Sequence, residues 1–450
     1  MSLSSSAAAA TASNTSPLLA AHNNLNNMNN NRKWILKRRP IGIFDPQLDV
    51  ELVPDDDANN NQWYSDNDND NDNDNDNSEY DDADADNDDG EEETEIKKKK
   101  SKKSNKNSNN SDNSALLLKE TEIIVQPQLL SVDAFLRTMC DENAYHGSLK
   151  LGSTFPALGY GTVIKAGKKS GHKIGSRVAG MLSASDLCKV DGKSAMKLYK
   201  FPYMNLSSSL GLMGLTSGLT AYCGVFYVPS KCPQRGETVV VTGAAGSIGS
   251  IAVQLCKSTG ARVIGIAGGP LKKDYLINTL KVDGVIDYKD TTKTLDEQIM
   301  EHCPDGIDFI YDNVGGEILD SLLYRINPKS RIIICGAISQ YSGNLNQECK
   351  KTNQSQSQSS SSSSSSSSKV YGPSNYLKLA ERGSEMKGFN VMQYISRLPF
   401  MIIGMYYLYI RGYVKCDEHI EIGLEQFPIA LQKLFTGQTI GKTLVRINND

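Results

Sequence analysis

Histidine, tryptophan and closely spaced cysteine are scarce in this chain. Its 450 residues carry five histidines and two tryptophans. The nine cysteines, Cys140, Cys188, Cys223, Cys232, Cys256, Cys303, Cys335, Cys349 and Cys416, never fall in a Cys-x-x-Cys spacing. That argues against a zinc ribbon and against a disulfide framework, so most are expected to be small buried hydrophobes. Long apolar runs are missing as well. The longest, Leu398–Ile410, contains Pro399 and Gly404 and falls well short of the about 20 residues that a bilayer-spanning helix needs. It reads as a buried helix. The start, MSLSSSAAAATASN, lacks a basic stretch followed by a leucine-rich core, and no arginine precedes Arg32. The expectation is therefore a cytoplasmic protein with neither an export signal nor a transit peptide.

Much of the chain also lacks the apolar area to build a core. Residues 1–31 are mostly Ala, Ser and Asn, residues 55–113 pass from an Asp-Asn repeat into a Lys-Ser-Asn run, and residues 353–368 are almost pure Gln and Ser. Such tracts do not bury enough surface to offset chain entropy and are expected to be disordered. The formal net charge of -4 hides a contrast: residues 55–106 hold 20 acids and 7 bases, leaving 32 acids against 41 bases elsewhere. A mildly basic remainder suits an anionic ligand. No basic stripe interleaved with aromatics points to nucleic acid.

What is present is concentrated in Thr242–Gly249, TGAAGSIG, between the apolar run Thr238–Val241 and the helix-like segment Ser250–Ser258. Strand, glycine turn and helix in that order cradle a pyrophosphate. Gly243 takes the sharp turn, Gly246 admits the phosphate and Gly249 lets the helix sit tightly on the sheet. The next strand, Arg262–Ala267, ends in Gly268, Gly269 and Pro270, where a fold preferring NAD carries an acid for the ribose hydroxyls. Lys272 and Lys273 follow instead. A 2'-phosphate gains from cations there, which favours NADPH over NADH, although a lysine pair is also an ordinary solvated helix start.

Strand and helix patterns go on alternating: Gly284–Asp287, a helix around Leu295–Glu301, Ile307–Asp312, a helix from Ile318 to Ile326, Arg331–Cys335 and a last strand at Gly388–Met392. Unbroken apolar strands separated by helices predict an α/β architecture with a doubly wound parallel sheet. Upstream, Leu116–Leu118, Glu122–Val125, Gly161–Ala166 and Arg177–Met181 are short β-like pieces broken by glycines, which predicts a compact antiparallel barrel. Lys33–Arg38 reads as a first hairpin strand, so residues 55–113 are expected as a loop inserted in the barrel's opening hairpin.

Six blocks in one order carry a resemblance. They are Leu130-Ser-Val-Asp-Ala-Phe-Leu-Arg137, Gly211-Leu-Met-Gly-Leu-Thr-Ser-Gly-Leu-Thr-Ala-Tyr222, Asp287-Tyr-Lys289, Tyr311-Asp-Asn-Val-Gly-Gly316, Cys335-Gly-Ala-Ile-Ser-Gln-Tyr341 and Gly437-Gln-Thr-Ile-Gly-Lys442. The chain resembles the zinc-independent medium-chain reductases, in the branch of prostaglandin reductases and alkenal double-bond reductases. That implies a GroES-like β-barrel catalytic domain over residues 32–205 and a Rossmann domain over 206–414, with residues 415–450 returning to the catalytic domain.

The same resemblance implies NADPH as cofactor, a small enal or enone as substrate and a homodimer formed through the nucleotide domain. It assigns the pyrophosphate to Gly243, Ala245, Gly246, Ser247, Ile248 and Gly249, and the 2'-phosphate to Lys272 and Tyr288. The nicotinamide ribose would meet Asn313 and the loop Cys335, Gly336, Ala337, Ile338, Ser339; the nicotinamide end would meet Phe389, Asn390 and Val391. Thr439 stands where relatives commonly have a cofactor-contacting Asn, and Phe135 where many have Tyr. Zinc dehydrogenases of the superfamily place a Cys and a Gly-His-Glu in the barrel; this chain has Leu130-Ser-Val-Asp133 and Leu158-Gly-Tyr-Gly161, so no metal is expected.

Hydride transfer to the β-carbon of a conjugated carbonyl needs donors at the developing enolate oxygen, a role implied for the Tyr341 hydroxyl with the ribose 2'-hydroxyl, while solvent protonates the α-carbon. Tyr341 also has a plainer reading, as an aromatic packed against the loop that follows. Two other functions stand beside this reading: an NADPH quinone reductase, against which the Tyr311–Gly316 and Cys335–Tyr341 blocks lean, and a cofactor-binding interaction protein without turnover, against which intact Gly246, Lys272 and Tyr341 argue.

Overall fold

The computed structural model describes residues 31–55, 118–142, 144, 146–342 and 372–447. The three low-complexity tracts lie almost wholly outside them, as do two residues of the expected strand Leu116–Leu118. Within the first half run β1 (Arg32–Leu36), β2 (Val50–Pro54), β3 (Glu122–Ser131), β4 (Pro156–Ala166), β5 (Arg177–Ser183), β6 (Cys188–Asp191) and β7 (Met196–Lys197). Next come β8 (Thr238–Thr242), β9 (Arg262–Ala267), β10 (Gly284–Asp287), β11 (Ile307–Asp312), β12 (Ile326–Ile334) and β13 (Glu385–Gly388), then β14 (Glu418–Ile422) and β15 (Lys442–Arg446).

The second group forms a parallel sheet in the order β10-β9-β8-β11-β12-β13. Its strands are buried on both faces because successive side chains of each apolar run point to opposite layers. Val239, Val241, Val263, Phe309, Tyr311 and Ile333 meet the helices Gly218–Phe226 and Ser247–Ser258. Val240, Ile264, Ile266, Ile310 and Ile332 meet the helices Leu295–His302 and Gly316–Tyr324 on the other side. The chain steps outward from β8 through β9 to β10, then crosses over to β11. β8 and β11 are therefore neighbours whose following loops diverge, and the crevice at their carboxyl ends is where such sheets bind ligands.

β3, β4, β5 and β7 join β14 and β15 in a mainly antiparallel sheet of order β14-β15-β3-β4-β5-β7, with β6 also pairing β3, while β1 and β2 pair with each other. β15 is antiparallel to β3 but parallel to β14, and the helix Phe427–Phe435 supplies the crossover that a parallel pair requires. The C-terminal segment thus closes back onto the N-terminal sheet.

Several expectations are corrected. β1 pairs with β2, so the opening hairpin is complete by Pro54, and residues 56–117 fall between β2 and β3 rather than inside that hairpin. The last parallel strand is Glu385–Gly388, earlier than Gly388–Met392, because pairing with Arg331–Ile334 of β12 decides its position and its own residues carry little apolar pattern. The helix Leu398–Ile410 is not buried: only Met401 and Met405 are, and the opposite side is bare.

Candidate functional site

The turn after β8 is built as its glycines require. Gly243 has φ +58, and a Cβ on Gly249 would lie 2.2 Å from the Gly243 carbonyl oxygen, so the third glycine is demanded by packing. The helix Ser247–Ser258 begins with neither a capping side chain nor an acid in its first turn. Its leading amides, around Ser247 and Ile248, are left for an anion. Ser247 Oγ meets the buried Ser217 Oγ at 2.9 Å. From the C-terminal segment, the Gly441 N–H donates to Ala245 O at 2.9 Å, and Gly246 bridges Gly441, which sets the buried Thr439 in the strand of chain lying against the turn.

At the end of β9 the Tyr288 ring lies on Gly268, where an added Cβ would be 2.6 Å from the ring. Half-buried Lys272 reaches across to the same C-terminal loop, its Nζ 3.5 Å from where Gly437 would carry a Cβ. Lys289 sits 6.0 Å from the Tyr288 ring centroid. Burial first, and then the charge of Lys289, push the Lys272 ammonium below its usual pKa. Neither lysine makes an ion pair among the described residues. A carboxylate is nearby, on Asp287, but it accepts hydrogen bonds from Gly269 N at 2.8 Å and Lys289 N at 3.0 Å and is spent on the backbone. The pair of cations is open to a phosphate.

The carboxyl ends of β8 and β11 are joined by a polar network that the sequence reading missed. Thr242 Oγ1 donates to Asp312 at 2.6 Å, and Asp312 accepts from the amides of Val314 and Gly315. Burial raises the Asp312 pKa. Asn313 donates from Nδ2 to Thr242 O at 2.7 Å, which leaves its Oδ1 buried without a hydrogen-bond partner. A buried amide oxygen in that state is costly unless a ligand donor meets it, and a ribose hydroxyl is such a donor.

The loop after β12 is fastened to the same strand end. Cys335 N and Gly336 N donate to Asp312 O, Ile338 N to Asn313 O, and Ser339 Oγ to Val314 O at 2.6 Å. The Tyr341 side chain folds back over this loop, where Ala337 N donates to its hydroxyl oxygen at 3.1 Å and a Cβ on Gly336 would approach that oxygen to 3.0 Å. Burial is the largest cause of a raised Tyr341 pKa, so the phenol is neutral and keeps a proton to give. The Cys335 thiol, facing the Tyr311 hydroxyl, is pushed up to about 12 by burial and is no thiolate nucleophile.

Phe389 and Val391 pack into the layer above the sheet, Phe389 3.0 Å from where Gly224 would carry a Cβ, and Asn390 caps the short turn that follows by accepting from Met392 N at 3.0 Å. Phe389 and Val391 lie on the helix Gly218–Phe226 side, whereas Cys335–Tyr341 lie against the carboxyl end of β11 and Tyr288 against Gly268 at the end of β9. In the antiparallel sheet, Asp133 of the Leu-Ser-Val-Asp block is buried against Lys442 Nζ at 2.6 Å. That pair ties the loop after β3 to β15. His172 shares a 2.8 Å hydrogen bond with Gly192 O. Among the described residues no group of three or more His, Cys, Asp or Glu side chains is placed to hold a metal ion.

Residues 247–371 match the family model described as zinc-binding dehydrogenase. YfmJ of Bacillus subtilis, assigned as an NADP-dependent oxidoreductase, is 34% identical over 74% of this chain and 90% of its own. The NADP(+)-dependent 2-alkenal reductase of tobacco is 30% identical over 73% of this chain and 88% of its own. The chain belongs to the medium-chain dehydrogenase/reductase family of NADP-dependent oxidoreductases. The crystal structure of CurA from Vibrio vulnificus in complex with NADPH shares the fold, with TM-score 0.69 and 24% identity over 93% of this chain and 100% of that one. In this family setting NADPH is the cofactor, and the uncapped helix, the unpaired Lys272 and Lys289 and the orphaned Asn313 oxygen fit its pyrophosphate, 2'-phosphate and ribose in turn. The part of the chain matched by the zinc-binding family model starts after the Leu130–Asp133 block, where Asp133 is already engaged by Lys442.

Proposed function

We propose that this protein reduces the carbon–carbon double bond of α,β-unsaturated aldehydes and ketones in the cytoplasm. The observation that carries the reading is the Tyr341 hydroxyl: a neutral phenol held by the Ala337 N–H at the carboxyl end of β12, on the loop that hydrogen-bonds to Asn313. The oxygen accepts from the backbone, so the O–H proton remains for the substrate. When bound, the reduced nicotinamide supplies a hydride. The chain's own part is to hold that cofactor through the Gly243–Gly249 turn, Lys272 and Asn313, and to offer the Tyr341 proton as a hydrogen bond to the carbonyl oxygen as it gains charge. A donor so placed is worth roughly 3–4 kcal/mol when charge develops on the oxygen. The phenol stays protonated through turnover and the α-carbon takes its proton from solvent.

Tobacco 2-alkenal reductase is named for this reaction, which supports the same substrate class here. A homodimer is part of the proposal, because an edge strand, β13, has a neighbour on one side only. The test is loss of NADPH absorbance with a 2-alkenal, the matching saturated aldehyde and a quinone. Oxidation with the alkenal and not with the saturated aldehyde is the expected result. Turnover of quinones alone would assign the protein to quinone reduction, and cofactor binding with no turnover would make it a binding protein.

A further inference from the structure

A helix on the surface of a water-soluble protein shows polar side chains to solvent and an apolar stripe to the core. The helix Leu398–Ile410 is apolar on both sides. Met401 and Met405 are buried against the layer above the parallel sheet. On the outer side, Phe400, Ile403, Tyr407 and Ile410 are 60%, 65%, 57% and 57% exposed, at a spacing of three and four that makes one continuous stripe. The preceding turn extends it with exposed Met392 and Ile395. Contiguous apolar surface of this kind marks an interaction site.

The charges around the stripe say what it meets. Met386–Cys416, 31 residues, contain Lys387, Arg397, Arg411 and Lys415 and no Asp or Glu; Lys387 pairs with Glu385 at 3.0 Å and Lys415 with Asp417 at 3.6 Å, so the two arginines are the cations of the segment left open. Arg397 and Arg411 stand at the two ends of the helix, exposed, and neither guanidinium has an ion pair or hydrogen bond among the described residues. Beside the helix's C-terminus opens a cavity of about 830 Å³ lined by Tyr203, Tyr409, Ile410, Tyr413, Lys257 and Lys415. Tyr203 and Tyr413 are exposed at its rim. A second copy of the chain docking through this stripe about a two-fold axis would bring arginine against arginine, with no carboxylate in the segment to neutralise them. An anionic bilayer surface meets every feature at once. Apolar side chains enter the acyl boundary, tyrosines settle at headgroup depth, and arginines reach the phosphates.

We propose that the outer face of the helix Leu398–Ile410, with its flanking arginines and the tyrosine-rimmed cavity at its end, docks the protein onto an anionic phospholipid bilayer. With 13 residues the helix lies along the surface and does not cross it, in keeping with the absence of any span-length apolar helix among the described residues.

The test is flotation of the full chain with vesicles of phosphatidylcholine containing phosphatidylserine, against vesicles of phosphatidylcholine alone. Recovery with the anionic vesicles only, falling at about 1 M salt where charges are screened beyond ~3 Å, is the expected result. Arg397→Gln and Arg411→Gln should each lower partitioning about fivefold. Phe400→Glu with Ile403→Glu should abolish it while leaving NADPH binding and thermal midpoint unchanged, since both positions are exposed. A chain that stays with the soluble fraction for both vesicle types, or floats as well with the two glutamates, overturns the proposal. So does a wild-type dimer that the glutamate variant converts to monomer in sedimentation velocity, which would give this face to a second copy.

Discussion

Lys272 offers the sharpest test of how the cofactor is chosen. Its ammonium is half-buried, pushed toward the neutral form by desolvation and by Lys289, and has no acidic partner among the described residues. A 2'-phosphate placed against it gives about 4 kcal/mol of Coulomb attraction for unit charges at ~4 Å with an effective dielectric of ~20. Desolvation and screening reduce this to the roughly 1.5–3 kcal/mol of a charged hydrogen bond. Lys272→Ala should therefore weaken NADPH about ten- to hundredfold and leave NADH nearly unchanged, because NADH has nothing for the amine to hold. The pH dependence follows from the same charge. The free amine loses its proton at lower pH than an ordinary lysine, so NADPH affinity should fall as alkaline pH passes through that lowered pKa, whereas NADH affinity should stay flat. Binding in that window restores the proton, and calorimetry in buffers of differing ionisation enthalpy should read proton uptake for wild type and none for Lys272→Ala. For the unliganded fold the sign is opposite: the unfolded chain holds this proton more tightly than the folded one, so stability gained from Lys272 rises with pH between the lowered pKa and that of free lysine. Equal weakening of both dinucleotides, or NADPH affinity that ignores alkaline pH, would refute the assignment.

Tyr341→Phe should lower kcat about 10²–10³-fold with little change in NADPH affinity, measured by steady-state and binding assays side by side. A rise in KM alone would mean that the hydroxyl serves only to bind substrate. Asn313→Leu removes both the donor to Thr242 O and the orphaned Oδ1; NADPH and NADH should both weaken about tenfold, since the residue lies away from the lysine pair that selects between them. Lys442→Met leaves Asp133 buried without its cation and should cost about 3–5 kcal/mol in urea unfolding, while Lys442→Met with Asp133→Leu should recover most of it. Equal losses in the single and double variants would mean that packing around the Lys442 stem, and not the ion pair, holds β15 in place.

The strands β8 to β11 are legible in the sequence because each is a short β-branched or aromatic run bounded by glycine or a polar turn, and the alternate residues of each run already sort into the two layers. β12 is longer than its apolar part: it starts at Ile326, which pairs with Ile307, and Asn327–Ser330 lie in a register shift with no apolar pattern of their own before pairing resumes at Arg331. β13 is invisible for the same reason. Hydropathy correctly marks Leu398–Ile410 as a helix, but its periodicity is lost when both faces are apolar, so no pattern in the segment distinguishes the side resting on Met401 and Met405 from the side that is bare. The glycine turn proposed to hold the phosphates leaves its mark on the sequence for a physical reason. Glycines are forced by positive φ at Gly243 and by a 2.2 Å approach at Gly249, and such constraints leave a mark on the sequence at fixed spacing.

The ribose end leaves a weaker mark. Thr242 and Asp312 are 70 positions apart, and Lys442 and Asp133 are separated by 309; only the sheet orders bring either pair together. Because β11 inserts beside β8 rather than beyond β10, the Thr242 hydroxyl reaches Asp312, and Asp312 in turn gathers the amides that shape the Asn313–Gly315 turn. The Asn313 Nδ2 is then consumed by Thr242 O, and that choice leaves Oδ1 buried without a hydrogen-bond partner among the described residues. The topology of the sheet, and not the identity of Asn313 alone, makes that oxygen available. A Thr242→Val variant keeps the Thr242 carbonyl but removes the hydroxyl that donates to Asp312 and accepts from Asn313 N at 2.8 Å, so it should weaken both dinucleotides by releasing the Asn313 turn, whereas it would leave binding intact if Asn313 were held by its own loop.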